Sequence, residues 1–546
     1  MTPARAADGR PLPDPNRLFD LLAAGLLALL AVLVCATFLD YGISNDEEVQ
    51  HVYGQKLLDF YLSGFADRSA FEFRNLYLYG GLFDMLAVAL APISPYGAYE
   101  TRHLLSGLIG VGGVAAVWRL ARHFAGPRAG FIAALLLACT AVWYGASFNH
   151  TKDVPFAVGM TWSALLACRA IERLPRPPLS TTLWLGVALG LTLGLRVGGL
   201  LAVVYLAAAV GGWFALRLWR RREGALRDLG RALVALAPTA AVAYALMVLC
   251  WPWAAFAPLN PLRALQAFSQ FNYAIDTMFD GAQMKMYAVP ATYLPVYLGL
   301  KLPLSVLFGV ALAAVFALAA LRRRGLSVER LTSFCLLGLT AAFPVLYFMA
   351  ARPPAYDAIR HFMFVVPPLV VLAALGYDRL WRALAGRGRL AAAAAPAALA
   401  LATAHQAWAL AALHPHQYVY YNELVGGLEG ASGRYVTDYW FNTAPEAIEA
   451  LEAHLRQENG GRTVLGPYTV AFCGERISGE AYMAPYLRWT KDWRRADFFI
   501  SPTSMGCDRV LAGRVIHEVR RLGVTLGVVK DRRPMLARSA PGRERS

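Results

Sequence analysis

Two short charged stretches stand at the ends of apolar runs. Ser44-Asn45-Asp46-Glu47-Glu48 follows "FDLLAAGLLALLAVLVCATFLDYGI", and His150-Thr151-Lys152-Asp153 separates two later apolar runs. Ionisable groups at a membrane boundary are costly unless they line a wet cavity or find partners, so both stretches are site candidates. An isolated loop-end charge, by contrast, simply marks the interface. Asp46, Glu47 and Asp153 supply carboxylates that can draw a proton from an acceptor hydroxyl or amine. Lys152 brings an ammonium beside them. Arg196, in "GLTLGLRVGGLLAVV", interrupts a long apolar stretch, and Gly198-Gly199 after it permit a helix break. Its guanidinium can grip a phosphate at two points, or snorkel to the interface. Arg360-His361 in "YDAIRHF" and Arg102-His103 in "YETRHLL" are further cations at starts of apolar runs. Together with the acids they suit one chemistry. A carboxylate takes the acceptor's proton while cations hold a departing lipid phosphate, the sugar carbon lying between them.

The elements that must position these groups are membrane spans. The chain has 546 residues, of which 57% are hydrophobic and only 16% charged. That balance excludes an ordinary soluble protein and points to a polytopic α-helical membrane protein. The net charge of +16 does not imply nucleic acid, because the basic residues fall in short clusters between apolar runs. "RLWRRREGALRDLGR", "LRRRG" and "RALAGRGRL" read as cytoplasmic loops. Runs of about 20 apolar residues predict about eleven spans. Their limits are 17–39, 100–121, 129–147, 155–172, 181–196, 198–216, 232–251, 297–320, 331–350, 362–381 and 390–412. The first is a retained signal-anchor rather than a cleaved leader. The segment 77–94 is short, carries Asp84, and is placed as an interfacial or re-entrant helix.

This count puts the N-terminus in the cytoplasm. It gathers loops 40–99, 147–155, 252–296 and 351–362 on the outer face of the membrane. Loop 252–296 is rich in aromatic residues and proline, which favours headgroup depth and sugar stacking; Tyr293 is counted there as a substrate contact, with His150 and Arg102. Residues 1–412 form the membrane domain. Residues 413–546 alternate helix-like runs ("APEAIEALEAHLRQ", "DRVLAGRVIHEVRRLG") with strand-like runs ("RTVLG", "DFFIS", "VTLGVV"), the pattern of a small extracytoplasmic α/β domain. Five cysteines lie in apolar runs and read as packing residues. Cys473 and Cys507 can form a disulfide if their domain is outside the cytoplasm, or remain two thiols. His414-Pro415-His416 lacks a third ligand nearby, and no metal site is expected.

The ordered set Asp46-Glu47 in "SNDEEVQHVYGQ", "FNHTKDVPFA", "RHLLSGLIG", "GLRVGG", "VPATYLPVYLGLKLP" and "YDAIRHFMFVVPP" resembles the GT-C glycosyltransferases. The likeness is to the bacterial branch of the protein O-mannosyltransferase and aminoarabinose transferase family, over residues of about 40–430. It implies a polyprenyl-phosphate sugar donor, inversion at the anomeric carbon, and a lipid, glycan or protein acceptor at the periplasmic face. It implies that Asp46 is the base, with Glu47 its neighbour and Asp153 the second acid. Lys152 and Arg196 fall where contacts to the donor phosphate belong, and Arg360 and His361 are added to them. No nucleotide is required; a divalent cation near Asp46 and Asp153 is allowed but not demanded. Loop 252–296 is too short for the β-trefoil insert of the protein O-mannosyltransferases. Two rival readings remain at this point. One is a transporter or flippase of an anionic lipid-linked sugar; the other is an anchored protein whose C-terminal domain does the work.

Overall fold

The computed structural model describes residues 15–539 except 150, 222, 271–273 and 322–324. It is a helical membrane bundle with a small sheet domain on one end. Eight helices among the described residues are long and apolar enough to cross a membrane: Arg17–Asp40, Ala98–Ala125, Asp153–Ile171, Val197–Trp219, Ala225–Cys250, Val328–Ala351, Arg360–Ala385 and Arg389–Ala412. Two bent pairs raise the number to ten. Pro127–Ala138 and Ala141–Asn149 meet at 63°, and Tyr293–Lys301 and Leu304–Ala319 at 115°.

The eleven spans expected from the sequence are therefore corrected in three places. The run 129–147 is broken at Cys139-Thr140. The run 297–320 is broken at Leu302-Pro303, where Leu302 is extended and Pro303 has no N–H to continue a helix. The run 181–196 yields only the 15-residue helix Leu179–Leu193. Hydropathy measures apolar length, and a turn inside the protein does not lower it. The segment expected at the interface, 77–94, contains the nine-residue helix Leu82–Leu90, too short to span. Tight turns keep neighbouring helices antiparallel. Gly126, at φ +91°, joins Ala98–Ala125 to the helix opened by Pro127.

Of the five cysteines read as packing residues, Cys168 and Cys250 are buried, whereas Cys35 and Cys335 face outward. In a bilayer an outward apolar side chain meets lipid, so hydropathy does not separate the two fates.

The sheet domain has its own hydrophobic core, drawn from Phe441 to Val529. Residues 413–440 pack instead with the membrane helices, Leu413, Tyr418, Tyr421 and Trp440 joining the large core. A β1–β2 hairpin, Asp276–Phe279 with Ala282–Lys285, lies in the long loop. The domain sheet comprises β3 (Tyr468–Phe472), β4 (Leu487–Trp489), β5 (Phe498–Pro502), β6 (Arg514–Arg521) and β7 (Val524–Asp531), ordered β4-β3-β5-β7-β6. β3 runs parallel to β4 and β5, and β7 is antiparallel to β5 and β6. Helix Ala444–Glu458 covers the sheet through Ile448, Leu451 and Leu455, as its 3.6-residue spacing predicts. Two local readings fail. "DRVLAGRVIHEVRRLG" contains β6 rather than a helix, because β-branched Val515 and Val519 pair along the β7 edge, with Ile516 at a register shift between Val515 and His517. "RTVLG" is a connection, and the strand starts after it at Tyr468. Cys473 and Cys507 are joined as a disulfide, with Cα atoms 6.4 Å apart.

Candidate active site

The acid stretch begins where the first helix ends. Tyr41 is extended, stacks on Phe148 at 3.8 Å, and donates its hydroxyl to Gln417 at 2.9 Å. The chain then turns into helix Glu47–Leu62. Ser44 and Glu47 form a reciprocal cap: the Ser44 amide donates to Glu47 Oε2 at 2.7 Å, and the Glu47 amide donates to the Ser44 carbonyl at 3.1 Å. This cap turns the two neighbouring acids in opposite directions. The Asp46 side chain is 41% exposed, whereas Glu47 is 0% exposed.

Asp46 faces a cluster built around Arg360. The Arg360 guanidinium pairs through Nη2 with Asp46, through Nε with Asp153 at 3.2 Å, and through Nη1 with Asp357 at 3.0 Å. The Trp440 ring covers that guanidinium, 3.9 Å from its central carbon. The other oxygen of Asp153 pairs with Arg196. Arg196 is placed by a close backbone approach nearby. The Leu82 amide donates to the Gly194 carbonyl at 3.0 Å, and a Cβ on Gly80 would fall 2.0 Å from that carbonyl oxygen. Three carboxylates thus share two guanidiniums, and the cluster lacks one positive charge. Burial pushes the Asp357 carboxyl up to about 6, against the pull of Arg360. Asp357 and Ala358 also hold left-handed backbone, at φ 56° and 58°, a strained state for residues with a Cβ.

Glu47 faces a second, closed cluster. His103 Nε2 lies 3.0 Å from Glu47 Oε1, and Arg102 Nε is 4.0 Å away. Arg102 donates to Asp84 at 2.9 Å and to Gln50 at 3.2 Å. Lys152 pairs with the other oxygen of Asp84 at 3.0 Å. Burial lowers the Lys152 ammonium from its ordinary value, and Asp84 works against that. Tyr79 stands between the clusters, its ring 5.0 Å from Lys152 Nζ and 5.8 Å from the Arg196 guanidinium.

Among the residues singled out in the sequence, Asp46, Asp153, Arg196 and Arg360 meet in the open cluster. Glu47, Lys152 and Arg102 meet in the closed one. His361 packs edge-on to Tyr356 at 4.7 Å, and the Tyr356 ring faces the Arg360 guanidinium at 5.7 Å. Tyr293 lies behind the site, 1% exposed, where its hydroxyl accepts from the Ala358 amide at 3.2 Å. It therefore props the strained Asp357–Ala358 turn and offers no surface to a substrate. Arg102, with no exposure, is likewise a buried partner of Asp84 rather than a surface contact. His150 lies outside the described residues. The sequence reading missed Asp84 and Asp357 as site members. Their signals were a lone acid in "LFDMLAV" and an acid three positions before Arg360.

A cation near Asp46 and Asp153 would meet the Arg360 guanidinium, which already lies between them. Among the described residues the one His/Asp/Glu group of metal-binding spacing is His454, Glu458 and Asp531. There the Arg533 guanidinium pairs with both acids, at 2.8 and 2.9 Å.

Residues 101–251 match the family model described as dolichyl-phosphate-mannose-protein mannosyltransferase. That segment carries Arg102, His103, Lys152, Asp153 and Arg196. No curated protein matches the chain. Among solved structures, the chain is similar to ArnT from Cupriavidus metallidurans bound to undecaprenyl phosphate, at 16% identity and a TM-score of 0.48, covering 93% of this chain and 97% of that one. It is similar to the Archaeoglobus fulgidus oligosaccharyltransferase in the apo form, at 14% identity and a TM-score of 0.48, covering 82% of this chain and 62% of that one. The oligosaccharyltransferase AglB from the same organism, in complex with an inhibitory peptide and a dolichol-phosphate, is similar at 13% identity with a TM-score of 0.45, covering 88% of this chain and 69% of that one.

Proposed function

We propose that this membrane protein is an inverting glycosyltransferase of the GT-C type. It moves a sugar from a polyprenyl-phosphate donor to a lipid, glycan or protein acceptor. The observation that carries the reading is the bridge from Asp46 through Arg360 to Asp153. A half-exposed carboxylate at a span boundary sits beside guanidiniums able to receive an anion. The match of residues 101–251 to a mannosyltransferase family supports the same class.

In this mechanism Asp46 accepts the proton of the acceptor hydroxyl. The acceptor oxygen forms its bond to the anomeric carbon from the face opposite the phosphate. The carbon–oxygen bond to the phosphate breaks, and polyprenyl phosphate leaves with the electron pair. Arg360 and Arg196 stabilise the negative charge that grows on it. Asp153 holds both guanidiniums in place. Glu47 and Lys152 act from the closed cluster, fixing the start of helix Glu47–Leu62 and the 151–153 turn. Arg360 and Arg196 supply the positive charge, so the mechanism requires no divalent cation.

The arginine-rich helix ends, including Arg119, Arg122, Arg217 and Arg382, lie at the opposite ends of the spans from this site. By the positive-inside rule this supports a site on the extracytoplasmic face of a bacterial inner membrane.

The test is transfer of a radiolabelled sugar from synthetic polyprenyl-phosphate donors by purified protein in detergent. Wild-type protein is expected to form a new glycosidic bond, and Asp46→Asn to lose at least about 100-fold in rate. A flippase would make no such bond. Full transfer by a correctly folded Asp46→Asn protein would refute the assignment.

A further inference from the structure

The residues leading into Asp46 are held largely by the C-terminal part of the chain. The Gly42 amide donates to Asn442 Oδ1 at 2.7 Å, and the Ile43 amide donates to the Tyr482 hydroxyl at 3.0 Å. Asn45 Oδ1 accepts from the Glu475 amide at 3.0 Å and from the Ser478 hydroxyl at 3.3 Å, while its Nδ2 donates to the Tyr439 carbonyl at 3.4 Å. The 475–478 turn follows directly on Cys473, which the disulfide anchors to Cys507.

The same segment reaches the other side of the site. Trp440, 3% exposed, lays its ring on Arg360. The next residue, Phe441, has φ 59°, an uncommon backbone state for a bulky side chain. That turn sends Trp440 into the membrane bundle and Phe441 into the core of the sheet domain, where it packs on Phe472 at 6.0 Å. Asp438 holds the turn rigidly. Buried, it accepts from the Asn442 amide at 2.9 Å, from the Thr443 amide at 3.1 Å and hydroxyl at 2.7 Å, and from the Tyr418 hydroxyl. Strain of this kind persists only where the surroundings enforce it, and it concentrates at working sites.

We infer that the C-terminal domain is a built-in part of the transfer site, with Trp440 a positioning residue that fixes the Arg360 guanidinium and Asn45 the latch that fixes the acid loop. The inference rests on the proposed transfer reaction and adds a residue and a domain to it. The aromatic face matters because a ring quadrupole attracts the guanidinium while leaving all its N–H groups free for carboxylates and phosphate. An aliphatic residue fills the space without that attraction.

The experiment compares Trp440→Phe, Trp440→Leu and Asn45→Ala in the full-length chain. Initial rates are measured against donor concentration with the radiolabelled polyprenyl-phosphate sugar, and thermal unfolding in detergent is followed in parallel. Trp440→Leu is expected to raise the donor KM or lower kcat by roughly 10-fold in kcat/KM, with Trp440→Phe recovering most of that loss. Asn45→Ala is expected to lower kcat by a similar factor with the donor KM unchanged, because it moves the base and not the phosphate contacts. Wild-type kinetics in folded Trp440→Leu and Asn45→Ala would overturn the inference while Asp46→Asn remained inactive. Equal losses in the Phe and Leu variants, tracking the loss of unfolding temperature, would reduce Trp440 to packing and overturn its positioning role. Activity in Asp46→Asn would instead remove the reaction itself.

Discussion

Arg360 and Asp46, 314 positions apart in the chain, form a direct ion pair, and the same guanidinium reaches Asp153. The two ends of the membrane domain are thereby joined at one charged group. Its three carboxylates are each met by a different nitrogen of a rigid planar fork, a geometry that a compact ammonium does not reproduce. Arg360→Lys is therefore expected to fail almost as badly as Arg360→Ala, each losing about 100-fold or more in transfer rate. Rates with radiolabelled donor decide it. A lysine variant within a few-fold of wild type would mean that only charge is needed there.

The closed cluster has a different role, and its variants should show it. Removing Arg102 leaves Asp84 and Glu47 buried with too little positive charge. Breaking a buried pair in this way costs about 3–5 kcal/mol. Arg102→Met should lower the unfolding midpoint in detergent markedly. Arg102→Met with Asp84→Asn should lose less than the sum of the two single variants, because the residues are in contact. Additive losses would show that the pair is not coupled.

The part of this site legible in the sequence was the part written in composition. A charge interrupting an apolar run is conspicuous, so Asp46, Asp153, Arg196 and Arg360 stood out. Their grouping on one end followed from counting spans. What the sequence concealed was direction. Nothing in "NDEE" tells that a Ser44–Glu47 cap turns one acid inward and its neighbour outward. Tyr293, in an aromatic loop, looked like a sugar platform, yet its hydroxyl serves the backbone of Ala358. Strand β6 looked helical because its arginines and apolar residues satisfy either period until β7 pairs with it. Asp357 was hidden because its importance comes from φ angles and from Arg360, neither of which has a sequence pattern.

The joint between the sheet domain and the membrane helices carries its own pH dependence. Glu446 is half-buried, which raises its pKa, but His416 and Arg521 outweigh that and bring it to about 2. Arg521 Nη2 lies 2.7 Å from Glu446, and its Nε donates to the His414 carbonyl at 2.8 Å. The folded pKa lies below the ordinary 4.5, so the folded state holds fewer protons in between. The stabilisation is present above pH 4.5 and is lost as pH falls toward 2. Glu446→Gln should flatten the unfolding-temperature profile across that window and leave it parallel to wild type above it. An unchanged acid limb would show that the joint does not depend on this carboxylate.

Asp357 gives the opposite sign. Burial lifts its folded pKa to about 6, from an ordinary 3.8. The folded state therefore holds the extra proton between those values, and this group's contribution to stability falls as pH rises from 3.8 to 6. Its ionisation also places a third negative charge beside Arg360. That charge offsets part of the positive charge that Arg360 offers the departing phosphate. The transfer rate at saturating donor should thus fall as pH rises through about 6. Asp357→Asn, fixed in the neutral state, should lose that inflection. It should also unfold at a higher temperature than wild type above pH 6, provided the amide still accepts from Arg360. A rate profile of Asp357→Asn that keeps the wild-type inflection would assign the titration to another group.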